Sequence, residues 1–418
     1  MSYQPVKFLQ AANIFLNHQL VGTGPLEEEQ QKLVQNSTIH AFRNVIDAAR
    51  EWQVDFVLLS GNSFHADDNS LGSRVELIAG LNDLHELGIP VIVLPGADDP
   101  LIAWHDITEL PPNVWLLNDP ADAAMTLQRD GNPFVQIGSL YSETFRVSQQ
   151  QSASENELLQ IAMLTREDFP HDLKRNAADN GLIARFDKLT VNYCALGGGT
   201  RETVTLPHCT LHDSGGTQGL HSKDVQERGC TLVEIDAAGS VEMSFIPTAV
   251  VRWESLHISI GSHSTIEELT ALMATALQGV RPQQHERLWL VRWTIDNSGP
   301  LFQLIRQEGF RRKLSHALRQ KLALPDNIKL VSLYRLFPTS RTMELLSEEN
   351  PLAETFFQTL NNLWKDAADH PEQLLQNSGI RDNERSARLS ALLREIDHES
   401  ILGHAQQLGV SWFDSQES

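Results

Sequence analysis

Apolar residues fall into two rhythms along this chain. Val6–Leu9 is a short apolar run that ends in a polar loop, Gln10 to Asn13. From Glu27 to Trp52 the apolar positions Leu33, Ile39, Phe42, Val45, Ile46 and Ala49 share one helical face. Asp55–Ser60 is an apolar strand closed by Gly61, Leu71–Leu87 is again helical, and Val91–Leu94 is a second buried strand closed by Pro95-Gly96. Strand, loop and helix in alternation predict parallel strands joined by crossover helices. Such sheets carry their chemistry on the loops at the carboxyl ends of the strands.

The pattern then turns to short strands. Asn113–Leu117, Met125–Leu127, Phe134–Ile137, Thr190–Leu196 and Thr231–Ile235 read as strands, with Asp130-Gly131 as a hairpin turn. Residues 147–160 read as an exposed loop entering a helix. His208 and His212 would share a face of a strand, and Pro207 and Cys209 beside them read as ordinary sheet edge. A second sheet packed on the first accounts for residues 100–250. Past Pro247 come a strand at Leu256–Ile260, a helix at Ser264–Leu277 and a strand at Leu288–Asp296. A helix at Pro300–Leu322 and a strand at Ile328–Leu333 complete a small α+β domain. From Pro338 the pattern is helical, with Gly379, Gly403 and Gly409 as expected breaks. The predicted domains are therefore 1–250, 251–337 and 338–418.

Composition excludes several classes. The chain has 418 residues, 41% of them hydrophobic and 21% charged, as in a folded globular protein. There is no apolar run of about 18 residues, so no transmembrane helix is predicted. The opening residues do not read as a secretory signal. Three widely spaced cysteines, Cys194, Cys209 and Cys230, suit a reducing cytoplasm, where the protein is expected to reside. The net charge of −21 means that DNA contact needs a local basic face or a basic partner. The stretch Arg306–Lys321 is such a face, with Arg306, Arg311, Arg312, Lys313, Arg319 and Lys321 against one acid, Glu308. It reads equally as a solvated helix face.

Five blocks, VKFLQAANIFLN, DFVLLSGNSF, IPVIVLPGADDP, NYCALGGGTRE and GTQG with ERGCTLVEID, occur in an order and spacing that resemble a family. The chain resembles calcineurin-like metallophosphoesterases, and more narrowly the SbcD-type DNA repair nucleases and their YhaO-like relatives. The likeness covers residues 6–250 and extends to the later domains by layout. It implies a four-layer α/β/β/α phosphoesterase sandwich, then a small α+β capping domain and a helical C-terminal region.

The resemblance also implies a two-metal site, and the ligand positions are changed. Where the family has Asp-x-His, this chain has Asn13 and Phe15. Gly-Asp becomes Gly61-Asn62, and Gly-Asn-His-Asp becomes Gly96-Ala97-Asp98-Asp99. A lone histidine after an apolar strand becomes Thr165, and Gly-His-x-His becomes Gly197-Gly198-Gly199-Thr200. Paired metal ions need anionic oxygen and imidazole nitrogen, which neutral amides, alanine, glycine and phenylalanine do not supply. The expectation is a degenerate site with no resident metal. The alternative is a remodelled site in which His65, Asp98 and Asp99 hold one Mn or Mg ion. Against it, Asp67-Asp68 reads as a solvated loop and Asp99 as a cap.

The function implied is a non-catalytic subunit that scaffolds or regulates an SbcC- or YhaN-like coiled-coil ATPase acting on DNA. The alternatives are an active phosphoesterase or nuclease, and a nucleotide-binding module using the vestigial pocket. The implied partners are that ATPase, DNA reached through the complex and a second copy of the chain, with no membrane. Apolar stripes at Leu352, Phe356, Phe357, Leu360, Leu363 and Trp364, and at Leu389, Leu392, Leu393 and Ile396, read as core. In SbcD-like proteins C-terminal helices dock on the partner's coiled coil, which implies a docking role for 338–418.

Overall fold

The computed structural model describes residues 3–67, 71–107, 110–117, 124–139, 158–165, 191–261, 263–296, 300–337, 343, 347–348, 350–369 and 398–414. They form two compact units. The first comprises Met1–Trp253, Pro282–Trp289 and Asn327–Lys329; the second comprises Glu254–Arg281, Leu290–Asp326 and Leu330–Ser418.

The first unit is built on two six-stranded sheets. In the first sheet β1 (Val6–Ala11), β2 (Phe56–Ser60), β3 (Val91–Leu94) and β4 (Val114–Leu116) run parallel. The strands β11 (Gly229–Ile235) and β12 (Val241–Pro247) extend it antiparallel, giving the order β12-β11-β1-β2-β3-β4. One face carries α1 (Glu28–Gln35), α2 (Ser37–Glu51), α3 (Leu71–Glu86) and α4 (Leu101–His105). Leu9, Ala11, Val57, Leu59, Val91 and Val93 meet Phe42, Val45, Ile46, Leu77 and Leu81 there. The single helix expected over 27–52 is two, because Asn36 leaves helical geometry at φ −101 and ψ 7.

The second sheet has the order β5-β6-β7-β8-β10-β9. Its strands are β5 (Ala124–Arg129), β6 (Asn132–Ser139), β7 (Leu159–Thr165), β8 (Tyr193–Gly197), β9 (Glu202–Thr205) and β10 (Thr210–Asp213). Asp130 and Gly131, at φ 53 and 78, make the expected hairpin. Alternate residues of the two sheets interleave: Val6, Phe8, Phe56, Leu58 and Ile92 pack against Val135, Ile137, Ile161, Met163 and Tyr193. Phe8 stacks on Phe56 at 4.8 Å and meets Tyr193 edge-on at 5.4 Å. This sheet-on-sheet core with helices outside is the α/β sandwich expected from the pattern. The outer face of the second sheet is also apolar and buried, through Leu164, Cys194, Leu196, Leu206 and Leu211. Of the loop and helix expected over 147–160, residues up to 157 lie outside the described ones, and Leu159 and Gln160 are not helical but open β7, whose apolar residues are buried between neighbouring strands.

The division between units runs through β13 (Val251–Ser259), β14 (Leu288–Asp296) and β15 (Lys329–Phe337), which form a three-stranded sheet in that order. Within the second unit α5 (Ile266–Leu277) packs on α7 (Glu308–Lys321). The helix expected over 300–322 is interrupted after α6 (Pro300–Ile305). The helices α8 (Pro351–Asp369) and α9 (His398–Asp414) pair through Ala353, Phe357, Val410 and Phe413. Gly403 and Gly409 do not break α9. A Cβ at Gly409 would lie 2.4 Å from the Phe356 ring, so glycine there admits a close helix approach. Gly379 and the stripe Leu389–Ile396 lie outside the described residues. No described helix is long and apolar enough to cross a membrane.

Candidate functional site

The loops that leave β1, β2, β3 and β8 converge at the carboxyl edge of the sandwich. The first two run side by side: Asn13 N donates to Gly61 O at 3.1 Å, Phe15 N to Asn62 O at 3.0 Å and Leu16 N to Ser63 O at 2.9 Å. This course places Asn13, Phe15, Asn17 and Asn62 at φ 48, 45, 65 and 55. Left-handed backbone at non-glycine residues costs energy and persists only where surroundings over-determine it.

Two amides lock these loops. Asn62 Nδ2 donates to Asn13 Oδ1 at 3.1 Å, and Asn13 Nδ2 donates to Gly199 O, also at 3.1 Å. Asn62 Oδ1 accepts from Asp98 N at 3.3 Å. The β1, β2, β3 and β8 loops are thereby tied through neutral hydrogen bonds. An amide nitrogen is a donor and repels a cation, so the two positions hold each other and offer no bridging anion.

Asp99, one of the candidate ligands, does a different job. It is fully buried, and both of its oxygens are occupied. Oδ1 accepts from Gly96 N at 2.7 Å and Asn62 N at 2.8 Å; Oδ2 accepts from Ser63 N at 2.9 Å and Trp104 Nε1 at 3.1 Å. Burial pushes its carboxyl above the usual carboxylate range, and these four donors pull the other way. Asp99 is a clasp between the β2 and β3 loops.

The other candidates are distributed around this clasp. His65 Nε2 lies 3.7 Å from Asp98 Oδ1, both side chains more than a third exposed. His65 Nδ1 accepts from Asp67 N at 3.3 Å. Asp68 lies outside the described residues. Ala97 contributes no polar side-chain group. Thr165 ends β7 opposite Gly197, and its methyl faces Gly61. Gly198, at φ 97, and Thr200 lie on the β8 loop. Among the described residues no group of three or more His, Cys, Asp or Glu side chains is placed to hold a metal. The amides, alanine, glycines and phenylalanine described at these positions do not fit the two-metal group that the family resemblance implies.

Beneath the site lies a buried polar layer that sequence reasoning missed. Gln10 Nε2 donates to Leu196 O at 2.9 Å and His212 O at 3.0 Å, while Tyr193 Oη donates to Gln10 Oε1. His212 is not at an ordinary sheet edge. Its Nδ1 and Nε2 each lie 2.8 Å from a hydroxyl, those of Thr203 and Thr231, so the ring joins the two sheets. His208 is exposed and not part of this layer. Burial, then the charge of Arg201, push the His212 pKa down to about 4, against a hydrogen bond that the ring donates to the Glu202 backbone.

A depressed folded pKa gives stability that is present above the unfolded value, near 6.5, and lost as pH falls toward about 4. The wild type should therefore lose about 2 to 3 kcal/mol more than His212→Gln between pH 7 and pH 4.5. Urea unfolding of both proteins at the two pH values measures this, and parallel losses would contradict it.

The uncharacterized metallophosphoesterase YhaO of Bacillus subtilis (strain 168) is 24% identical over 326 residues, covering 76% of this chain and 78% of its own. This relative supports the metallophosphoesterase superfamily for the chain. No protein-family model matches. Among solved structures, TT1561 of Thermus thermophilus aligns over 58% of this chain and 99% of its own, at 11% identity and a TM-score of 0.36. A second crystal structure covers the same shares at 13% identity and a TM-score of 0.33. Scores this low add nothing to the fold read from the two sheets.

Gln218 of the GTQG block has a structural role. Gln218 Oε1 accepts from Val250 N and Val251 N, and its Nε2 donates to Val251 O at 2.6 Å. It thereby fixes the start of β13. In the second unit the basic stretch is only partly available to a partner. Arg311 Nε donates to Ile305 O at 2.6 Å and its guanidinium lies over Tyr334; Arg319 caps Pro325 O at 3.0 Å. Arg312 pairs with Glu308, and Lys321 reaches Glu267 O at 3.4 Å. Arg306, Arg312, Lys313 and Lys321 are exposed.

Proposed function

We propose that this chain is a catalytically degenerate phosphoesterase-fold subunit that scaffolds or regulates an SbcC- or YhaN-like coiled-coil ATPase in DNA metabolism. The carrying observation is the Asn13–Asn62–Gly199 amide lock, which occupies the ligand positions with hydrogen bonds among protein groups. The ATPase partner rests on the family resemblance. DNA is contacted through the complex, aided by Arg306, Arg312, Lys313 and Lys321, while Arg311 and Arg319 hold α7 in place. The region 338–418 is the docking element of this reading.

One observation favours a second reading. His65 and Asp98 are near enough, at 3.7 Å, for both to touch a single Mn or Mg ion. A remodelled, single-ion phosphoesterase would use that pair.

The discriminating experiment uses the full chain mixed with the coiled-coil ATPase in a pull-down, followed by nuclease assays in manganese. The expected result is co-purification with no manganese-dependent cleavage beyond the ATPase alone. Cleavage that appears with this chain and disappears in His65→Ala and Asp98→Ala would establish the second reading instead. Failure to co-purify would refute the scaffold role.

A further inference from the structure

The loop between β8 and β9 holds hydrogen-bond donors that no described residue accepts. Among the described residues no backbone or side-chain acceptor takes the N–H of Gly198, Gly199 or Thr200, and none takes the guanidinium of Arg201. Gly199 does contribute its carbonyl, to Asn13. The loop therefore turns its acceptor toward the amide lock and leaves its donors without an acceptor among the described residues.

Arg201 is exposed but held. Its guanidinium carbon lies 3.7 Å from the centre of the Phe245 ring, a stacked arrangement that fixes the plane of the fork. Phe245 sits on β12 against Gly229, where a Cβ would come within 2.9 Å of the ring. The N–H of Gly229 donates to Gly216 O at 3.1 Å, and Gly215 lies against the Arg201 backbone. Arg228, next to Gly229, adds a second positive charge, and its Nε is buried without an acceptor.

Two of the nearby acids, Asp224 and Glu227, have other partners. Asp224 accepts from Leu220 N at 2.8 Å, His221 N at 3.3 Å and Arg228 Nη2 at 3.3 Å. Glu227 Oε1 accepts from Gln283 Nε2 at 2.7 Å and lies 3.9 Å from Arg252. Neither is within ion-pair distance of Arg201, although the charge of Glu227 acts on its guanidinium.

We propose that the Gly198–Arg201 loop binds a phosphoryl group, with the N–H groups of Gly198, Gly199 and Thr200 and the Arg201 fork as donors. Successive unpaired N–H groups in a glycine-rich turn form an anion-binding concavity. A guanidinium already stacked on an aromatic ring meets two phosphate oxygens with little further loss of freedom. The binding needs no metal. The phosphoryl group can belong to a free nucleotide or to a phosphodiester backbone, and both present the same oxygens. The inference goes beyond the scaffold reading, which neither requires nor forbids it.

Isothermal titration of the full chain with inorganic phosphate, a 5′-mononucleotide and a short single-stranded oligonucleotide tests it, alongside Arg201→Ala and Arg201→Lys. Because Arg201 is exposed and outside both cores, the variants should fold, which circular dichroism checks. Binding should weaken about 10-fold or more in Arg201→Ala, with a smaller loss in the lysine variant. Protection from amide exchange should appear over residues 198–201. Tighter binding of the mononucleotide would assign a nucleotide; tighter binding of the oligonucleotide would assign a backbone. Affinity unchanged in Arg201→Ala, or no binding of any of the three, would overturn the inference. Arg201→Ala should still co-purify with the ATPase, so this site and the scaffold role fail separately.

Discussion

Gly197→Ala should leave the first unit unable to close. A Cβ at this position would lie 1.4 Å from the Ser60 carbonyl oxygen and 2.5 Å from the Ser60 carbonyl carbon. Both atoms are backbone, so no rotamer change relieves the contact. Gly197 ends β8, paired with Thr165, and Ser60 ends β2, paired with Leu94. Each strand is held in register by its own sheet, so relief would require separating the two sheets across the core of Phe56, Leu58, Met163 and Ala195. Overpacking a core usually costs about 1 to 3 kcal/mol, and an immovable backbone contact should cost about 4 kcal/mol or more. That is a large share of the roughly 5 to 15 kcal/mol by which a domain is stable. The variant is expected in the insoluble fraction, or with a greatly lowered urea midpoint. Gly279→Ala, with no atom within 4 Å of the added carbon, is the control and should match the wild type. A Gly197→Ala protein with a wild-type midpoint would show that the sheets are not packed this closely.

Asp99→Asn should be the most damaging conservative change in the loops. Each carboxylate oxygen accepts two hydrogen bonds, so an amide turned either way sets its NH2 against two donors. The substitution also removes the negative charge that strengthens all four bonds. With the site fully buried, water cannot replace the lost acceptor, and a cost of about 3 to 5 kcal/mol is expected. Chemical unfolding measures the total. Near-ultraviolet dichroism reports the loss of the Trp104 contact separately. A loss below about 1 kcal/mol would mean that the loops hold without this clasp, and that the four bonds are dispensable. Full retention of the Trp104 signal would carry the same message.

These two residues show where reading a sequence stops. In sequence, Asp99 suits either a metal ligand or a local cap, because a carboxylate in a glycine-rich loop can do both. Its partners Ser63 and Asn62 lie 36 and 37 positions away and leave no periodic trace. The amide lock is similar: Asn13 and Asn62 are visible as poor ligands, yet nothing local shows that they bond each other and Gly199. His212 reads beside His208 as ordinary sheet edge, whereas its strand carries it inward between Thr203 and Thr231.

What the residues determined by themselves was the alternation of strand and helix from β1 to β3; the strands β7, β9, β10 and β12 were not among those read from the pattern. A buried parallel strand needs an unbroken apolar run, and a helix laid on a sheet needs a stripe of period 3.6. Val91–Leu94 and the face through Phe42, Val45 and Ile46 therefore declared themselves. Residue types also set what the loop positions can offer chemically, since an amide or a glycine cannot become a carboxylate or an imidazole by folding. Tertiary structure alone decided the partners. Gln10 meets His212 across 202 positions and Asn13 meets Gly199 across 186, and Arg201 settles on Phe245 from another sheet. Such contacts are set by how two sheets stack and how loops cross at their edge. A hydrogen bond between distant side chains constrains only its own two ends, so no pattern in the intervening chain announces it.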